Sequence, residues 1–139
     1  MKKLTFPVII QEIIAKSNLE EHVDSLIFLD EQIKSRGFKI TTREDSIQSV
    51  IEWDNKIIRL SVVNGRKRKL EVLWDLLHEF GHLLDYEPIA NNNTQKFKRE
   101  ITAWRNAKNT LLKLPKLVGF INEFENYSSK CLKTYKYIM

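Results

Sequence analysis

A single cysteine, Cys131, in 139 residues is too little for an internal disulfide or for a zinc site built on thiolates. Scarcity of this kind fits a reducing, cytoplasmic location best. No apolar run approaches the ~18 residues needed to span a bilayer. The opening Met1-Lys2-Lys3, followed by Leu4 to Ile10, imitates a secretion signal, but the run stops at Gln11-Glu12 with no small-residue cleavage site after it. A soluble chain that is not exported and meets no membrane is therefore expected. Internal repeats, low-complexity tracts and dividing linkers are absent too. With 42% hydrophobic residues, the chain has enough material for a core, and one domain over residues 1–139 is expected.

Charge is less decisive. The net charge is +5, with basic residues at Arg66 to Lys69, at Lys96, Lys98 and Arg99, and near the C-terminus. Such a surface can meet nucleic acid or an acidic protein. The 18 interspersed acidic residues favour an ordinary solvated face instead. No nucleic-acid-binding signature accompanies the charge, so direct nucleic-acid contact is not expected.

Periodicity outlines an α+β chain. Pro7 opens a first helix reaching about Lys16, and Asn18 with Glu21 reads as the cap of a second, carrying Leu26, Leu29 and Ile33 and ending at Gly37. His22 falls among acids in that helix's first turn and reads as a surface residue. An extended stretch begins at Phe38. Ile47 to Trp53 and Lys56 to Val63 flank Asp54-Asn55 as a hairpin of half-buried strands. A helix from about Lys67 to Tyr86 follows, then one capped by Thr94 and lasting to Leu114 before Pro115. Leu117 to Phe124 and Ser128 to Tyr137 suggest one or two closing helices. The expected fold is a small antiparallel sheet with helices packed around it.

What the sequence does contain is His78-Glu79-Phe80-Gly81-His82, an H-E-x-x-H motif. Histidines four apart on a helix lie one turn from each other on one side, so both imidazoles reach a single metal ion. The glutamate beside them is placed to deprotonate a water there without being a ligand. The bland alternative is a surface helix with two ordinary histidines. At about 100° per residue, Leu70, Leu73, Trp74, Leu77, Phe80 and Leu84 form one apolar face of this helix. Glu71, Asp75, His78, His82 and Asp85 form the opposite stripe. Asp85 leans back toward His82 and is a candidate partner for an imidazole N–H, or equally a solvated helix-end acid. Gly81, costly in a helix, suits a place where another backbone approaches closely.

A catalytic zinc takes three protein ligands and keeps a fourth position open. The next helix offers the third. Phe97, Glu100, Trp104, Ala107, Leu111 and Leu114 recur at helical spacing, and only Glu100 is not apolar. A carboxylate facing a core is costly unless it is paired or holds a cation. A zinc ion on His78 and His82 would meet that need; so would an ion pair with a lysine or arginine. Asp85 and Glu87 are weaker candidates, following the histidines too closely in sequence.

H-E-x-x-H with a glutamate from a second helix resembles the gluzincin arrangement of zinc metallopeptidases. Within that group the chain is similar to the small ImmA/IrrE-type metallopeptidases of bacteria, phages and mobile elements. The likeness rests on His78 to Leu84 and on Glu100-Ile101-Thr102-Ala103 with Ala107, Leu111, Leu112 and Pro115, and it covers about residues 77–115. Thr102 stands where the family carries a second acid, and Trp104 where a smaller polar residue is usual. The resemblance implies a zincin-like fold, Zn²⁺ held by His78, His82 and Glu100, and Glu79 as general base. It also implies a cytoplasmic endopeptidase with few targets, often helix-turn-helix repressors.

Two functions from different classes follow. One is a zinc-dependent endopeptidase of narrow specificity that hydrolyses a peptide bond in a cytoplasmic regulatory protein, with one of the predicted strands presenting an edge to an extended substrate. The other is a non-catalytic zincin-fold interaction module that binds a regulatory protein or a DNA-bound complex. An intact Glu79 argues for the first, because a structural metal site needs no base. Tyr86, Tyr127 and Arg105 are available to stabilise an oxyanion, and the sequence selects none of them.

Overall fold

The computed structural model describes residues 6–62, 69–85 and 92–136. It divides into two compact units, Met1–Asp75 and Leu76–Met139. Both helices and strands are present, in keeping with an α+β chain.

In the first unit, helix α1 covers Val8–Ser17 and α2 Val23–Ser35, joined by a 3₁₀ turn at Glu20–His22. Pro7 precedes α1 with its carbonyl accepting from the Ile10 and Gln11 amides. Asn18 does not open the second helix as its sequence position suggested. It closes the first, in the left-handed region at φ 56°, with its amide donating to the Ile14 carbonyl. Asparagine tolerates that conformation where most side chains resist it. Gly37 ends α2 as expected, at φ 83°. His22, expected at the surface, is buried, at 4% exposure. The 3₁₀ turn shifts it off the polar stripe that a continuous helix would have given it.

Strands β1 (Lys39–Arg43), β2 (Val50–Glu52) and β3 (Ile57–Ser61) form a sheet of order β1-β3-β2. The β2–β3 hairpin is as the sequence suggested, with shorter strands. Its turn depends on Lys56, which sits at φ 56°. The sheet is mixed rather than antiparallel, because β1 runs parallel to β3 from Lys39↔Ile57 to Arg43↔Ser61. Since β1 and β2 lie on opposite sides of β3, residues 44–49 must carry the chain past the end of β3. Ser61 secures that crossing: its Oγ donates to the Ser46 carbonyl at 2.6 Å, and its amide donates to Ser49 Oγ at 2.9 Å. Ser49 Oγ in turn donates to the buried Asp75 carboxylate at 3.3 Å. Helices α1 and α2 pack on β1, burying Ile10, Ile13, Leu26, Leu29 and Ile33 with Ile40, Ile58 and Leu60. Fully burying an aliphatic side chain contributes about 1.5–3 kcal/mol, so this cluster dominates the unit's stability.

Helix α3 covers Leu70–Leu83, and the boundary between the units falls within it. Leu70, Leu73, Trp74, Leu77 and Phe80 of its apolar face are buried, whereas Leu84 lies past the helix end at 39% exposure. The predicted extensions to Lys67 and Tyr86, and the Val63 end of the last strand, lie outside the described residues.

The second unit continues with α4 (Asn93–Leu111), the short α5 (Pro115–Val118) and α6 (Ile121–Lys136). Asn92, not Thr94, caps α4, its side chain accepting from the Gln95 amide at 2.9 Å. Pro115 occupies the first turn of α5, where a missing N–H costs nothing. A single closing helix runs from Ile121, so the break falls at Gly119-Phe120. It packs against α4, where Trp104 meets Phe124 at 5.7 Å and Tyr127 at 6.0 Å, both edge to face. No helix among the described residues is long and apolar enough to cross a membrane.

A candidate metal centre on helices α3, α4 and α6

The second unit holds the whole candidate site. Helical spacing turns His78 and His82 the same way, with ring centroids 4.7 Å apart. From α4, Glu100 reaches both of them. His78 Nε2 donates to Glu100 Oε2 at 2.6 Å, and His82 Nε2 lies 3.4 Å from the same oxygen. Among the described residues, the charged partners of this carboxylate are therefore imidazoles, not the lysine or arginine that a simple ion pair would supply. Two ligands each ~2.0–2.1 Å from a tetrahedral ion stand roughly 3.4 Å apart, the separation of His82 and Glu100. The 2.6 Å contact is a hydrogen bond from the imidazole to the carboxylate.

Distance alone also admits Glu79. The donor atoms of His78, Glu79 and His82 all lie within 4.8 Å of one another. The two carboxylates approach His78 from different sides. Glu79 Oε1 is 3.5 Å from His78 Nδ1, the ring nitrogen opposite to the one that faces Glu100. A ligand set of two Nε2 atoms and Glu100 Oε2 therefore leaves the Glu79 carboxylate uncommitted to the metal. Glu79 is buried, at 5% exposure.

Close packing sets this geometry. A Cβ built on Gly81 would stand 2.1 Å from the Ala103 carbonyl oxygen, so only glycine permits α3 and α4 to approach as they do. Asn106 Nδ2 adds a hydrogen bond across the same contact, donating to the Gly81 carbonyl at 3.1 Å. The sequence anticipated the close approach, though not its partner. Trp104, one turn beyond Glu100, lies flat on His78 with centroids 4.1 Å apart and planes 9° from parallel. A stacked indole holds the imidazole plane and keeps water from that side. Its Nε1–H is buried with no hydrogen-bond acceptor among the described residues.

Burial pushes the Glu100 carboxyl up. The hydrogen bonds from His78 and His82, and their charge, outweigh that and hold it well below the usual carboxylate range. Tyr135 on α6 completes the surround. Its hydroxyl donates to Glu100 Oε1 at 3.0 Å, and burial followed by the Glu100 charge raises its pKa well above the usual phenol range. Tyr135 went unnoticed in the sequence, though Phe124, Tyr127, Cys131 and Tyr135 follow at steps of three, four and four. That spacing places its ring on the inward face of an amphipathic helix, where a phenol O–H needs a partner.

The remaining candidates stand apart. Asp85 is exposed, and no contact joins its carboxylate to either imidazole among the described residues. Glu87 and Tyr86 lie outside the described residues, Arg105 is exposed, and Tyr127 packs on Trp104. No protein-family model matches this chain, and neither a curated protein nor a solved structure matches it.

Proposed function

We propose that this chain is a zinc-dependent endopeptidase of narrow specificity, zincin-like in its catalytic half and related in kind to the ImmA/IrrE-type peptidases it resembles. One observation supports the reading above all: a largely shielded carboxylate from α4 meets the Nε2 atoms of both motif histidines. The donor set suits zinc, which favours imidazole nitrogen with carboxylate oxygen. His78, His82 and Glu100 would hold the ion, and three ligands leave one position for water or substrate. Zinc bound there would supply Lewis-acid polarisation of the scissile carbonyl and acidify a water.

The chain's own residues do the rest. Glu79, buried beside His78 and close to the donor atoms of both histidines, takes a proton from the attacking water and delivers it to the leaving amine. Its low-dielectric setting strengthens that transfer. Trp104 fixes the His78 ring so that Nε2 keeps its direction. The substrate class that the resemblance suggests is a cytoplasmic regulatory protein, helix-turn-helix repressors among them.

Incubating such a partner with the wild type, with Glu79→Gln and with chelator tests the reading. Cleavage by the wild type alone is expected, with Glu79→Gln slower by about 10²–10⁴-fold while still binding zinc. Equal rates for the two proteins would remove Glu79 as the base. Tight binding of the partner without cleavage by either would make the chain an interaction module.

A further inference from the structure

Glu100 has two oxygens, and the structure divides them. Oε2 faces the imidazoles, 2.6 Å from His78 and 3.4 Å from His82. Oε1 accepts the Tyr135 hydroxyl at 3.0 Å. The phenol arrives from α6, 35 positions along the chain, on a helix packed against α4. Tyr135 is half-buried, so its O–H exchanges water for the carboxylate and has reason to stay there.

Carboxylates bind metal ions through one oxygen or through both. With Oε1 free, Glu100 could rotate and offer both, raising the ligand count and filling the position that a catalytic site keeps open. With Oε1 engaged, the phenol takes one of its lone pairs and opposes the rotation that two-oxygen binding needs. We propose that Tyr135 is the positioning residue of the site: its hydroxyl holds Glu100 as a one-oxygen ligand through Oε2 and so preserves the open coordination position. This inference rests on the metal-site reading above. It gives α6, outside both the H-E-x-x-H helix and the glutamate helix, a part in setting the metal's surroundings.

Tyr135→Phe tests it, because the ring and its packing are retained and only the hydroxyl is lost. Metal-free wild type and variant are titrated with zinc against a chromophoric chelator, and their cobalt(II) forms are compared by visible absorption. Partners that orient a ligand typically contribute 10–100-fold in metal affinity. The variant's cobalt(II) band should lose intensity as a four-coordinate ion gains a fifth ligand, and its zinc affinity should shift from the wild-type value by about that factor. Packing alone would move neither readout, since the ring remains. A variant identical to the wild type in both affinity and spectrum overturns the inference and leaves the metal site standing. A wild type that takes up no zinc overturns the metal reading, and this inference with it.

Discussion

Gly81 on α3 lies directly against the Ala103 backbone of α4. A methyl group on Gly81 would sit 2.1 Å from the Ala103 carbonyl oxygen and 2.9 Å from its carbon. Backbone cannot yield as a flexible side chain does, so Gly81→Ala must push the helices apart. The gain in helix propensity, ~1 kcal/mol, is outweighed by overpacking, which costs about 1–3 kcal/mol or more at such distances. Urea unfolding of the metal-free variant should show a net loss of stability. Zinc affinity should fall as well, because Glu100 rides on the helix that moves. A variant as stable as the wild type would show that the approach is not tight.

Trp104 separates two contributions that one side chain carries. Trp104→Ala removes a buried ring and should cost about 3–5 kcal/mol. Trp104→Phe keeps a flat ring against His78 and also removes an N–H that is buried without an acceptor among the described residues. Leaving such a donor unsatisfied costs ~1–3 kcal/mol, so its removal offsets much of the lost area. The phenylalanine variant should therefore lie within about 1 kcal/mol of the wild type in chemical unfolding. A loss as large as that of the alanine variant would mean the indole nitrogen has a partner after all.

Much of the site was legible because its parts are local or periodic. Two histidines on one helix need only the α-helical repeat to bring them together, and Glu100 betrayed itself as the one acid in an apolar stripe. Gly81 likewise signalled a close approach through its cost to the helix. The unread parts are non-local. Parallel pairing of β1 with β3 depends on the crossing that Ser46, Ser49 and Ser61 secure, and no turn residue announces it as Asp54-Asn55 announces the hairpin. Tyr135 meets Glu100 across 35 residues, through the packing of α6 on α4. At Asn18 and Asn92 the local chemistry was ambiguous: one side chain suits either end of a helix, and the other competes with Thr94 for the same cap.

Acid should destabilise the metal-free protein partly through Glu100. Its carboxyl is held low by the two imidazoles despite burial, so near the carboxylate range the folded chain binds fewer protons there than the unfolded chain. The stabilisation is complete above the unfolded value of ~4.3 and is lost as pH falls through the folded one. Urea midpoints of the metal-free wild type, followed from pH 7 to pH 3, should decline more steeply below that value than those of Glu100→Gln, which has no proton to take up. Parallel declines would mean that Glu100 is not held low.

Zinc titration of the metal-free protein tests the central claim most directly. Wild type should take up one equivalent. Neither His78→Ala nor His82→Ala should bind stoichiometrically, Glu100→Ala should bind far more weakly, and Asp85→Ala should match the wild type. A wild type that binds no zinc, or a Glu100→Ala variant that binds it as the wild type does while Asp85→Ala fails, would contradict the account.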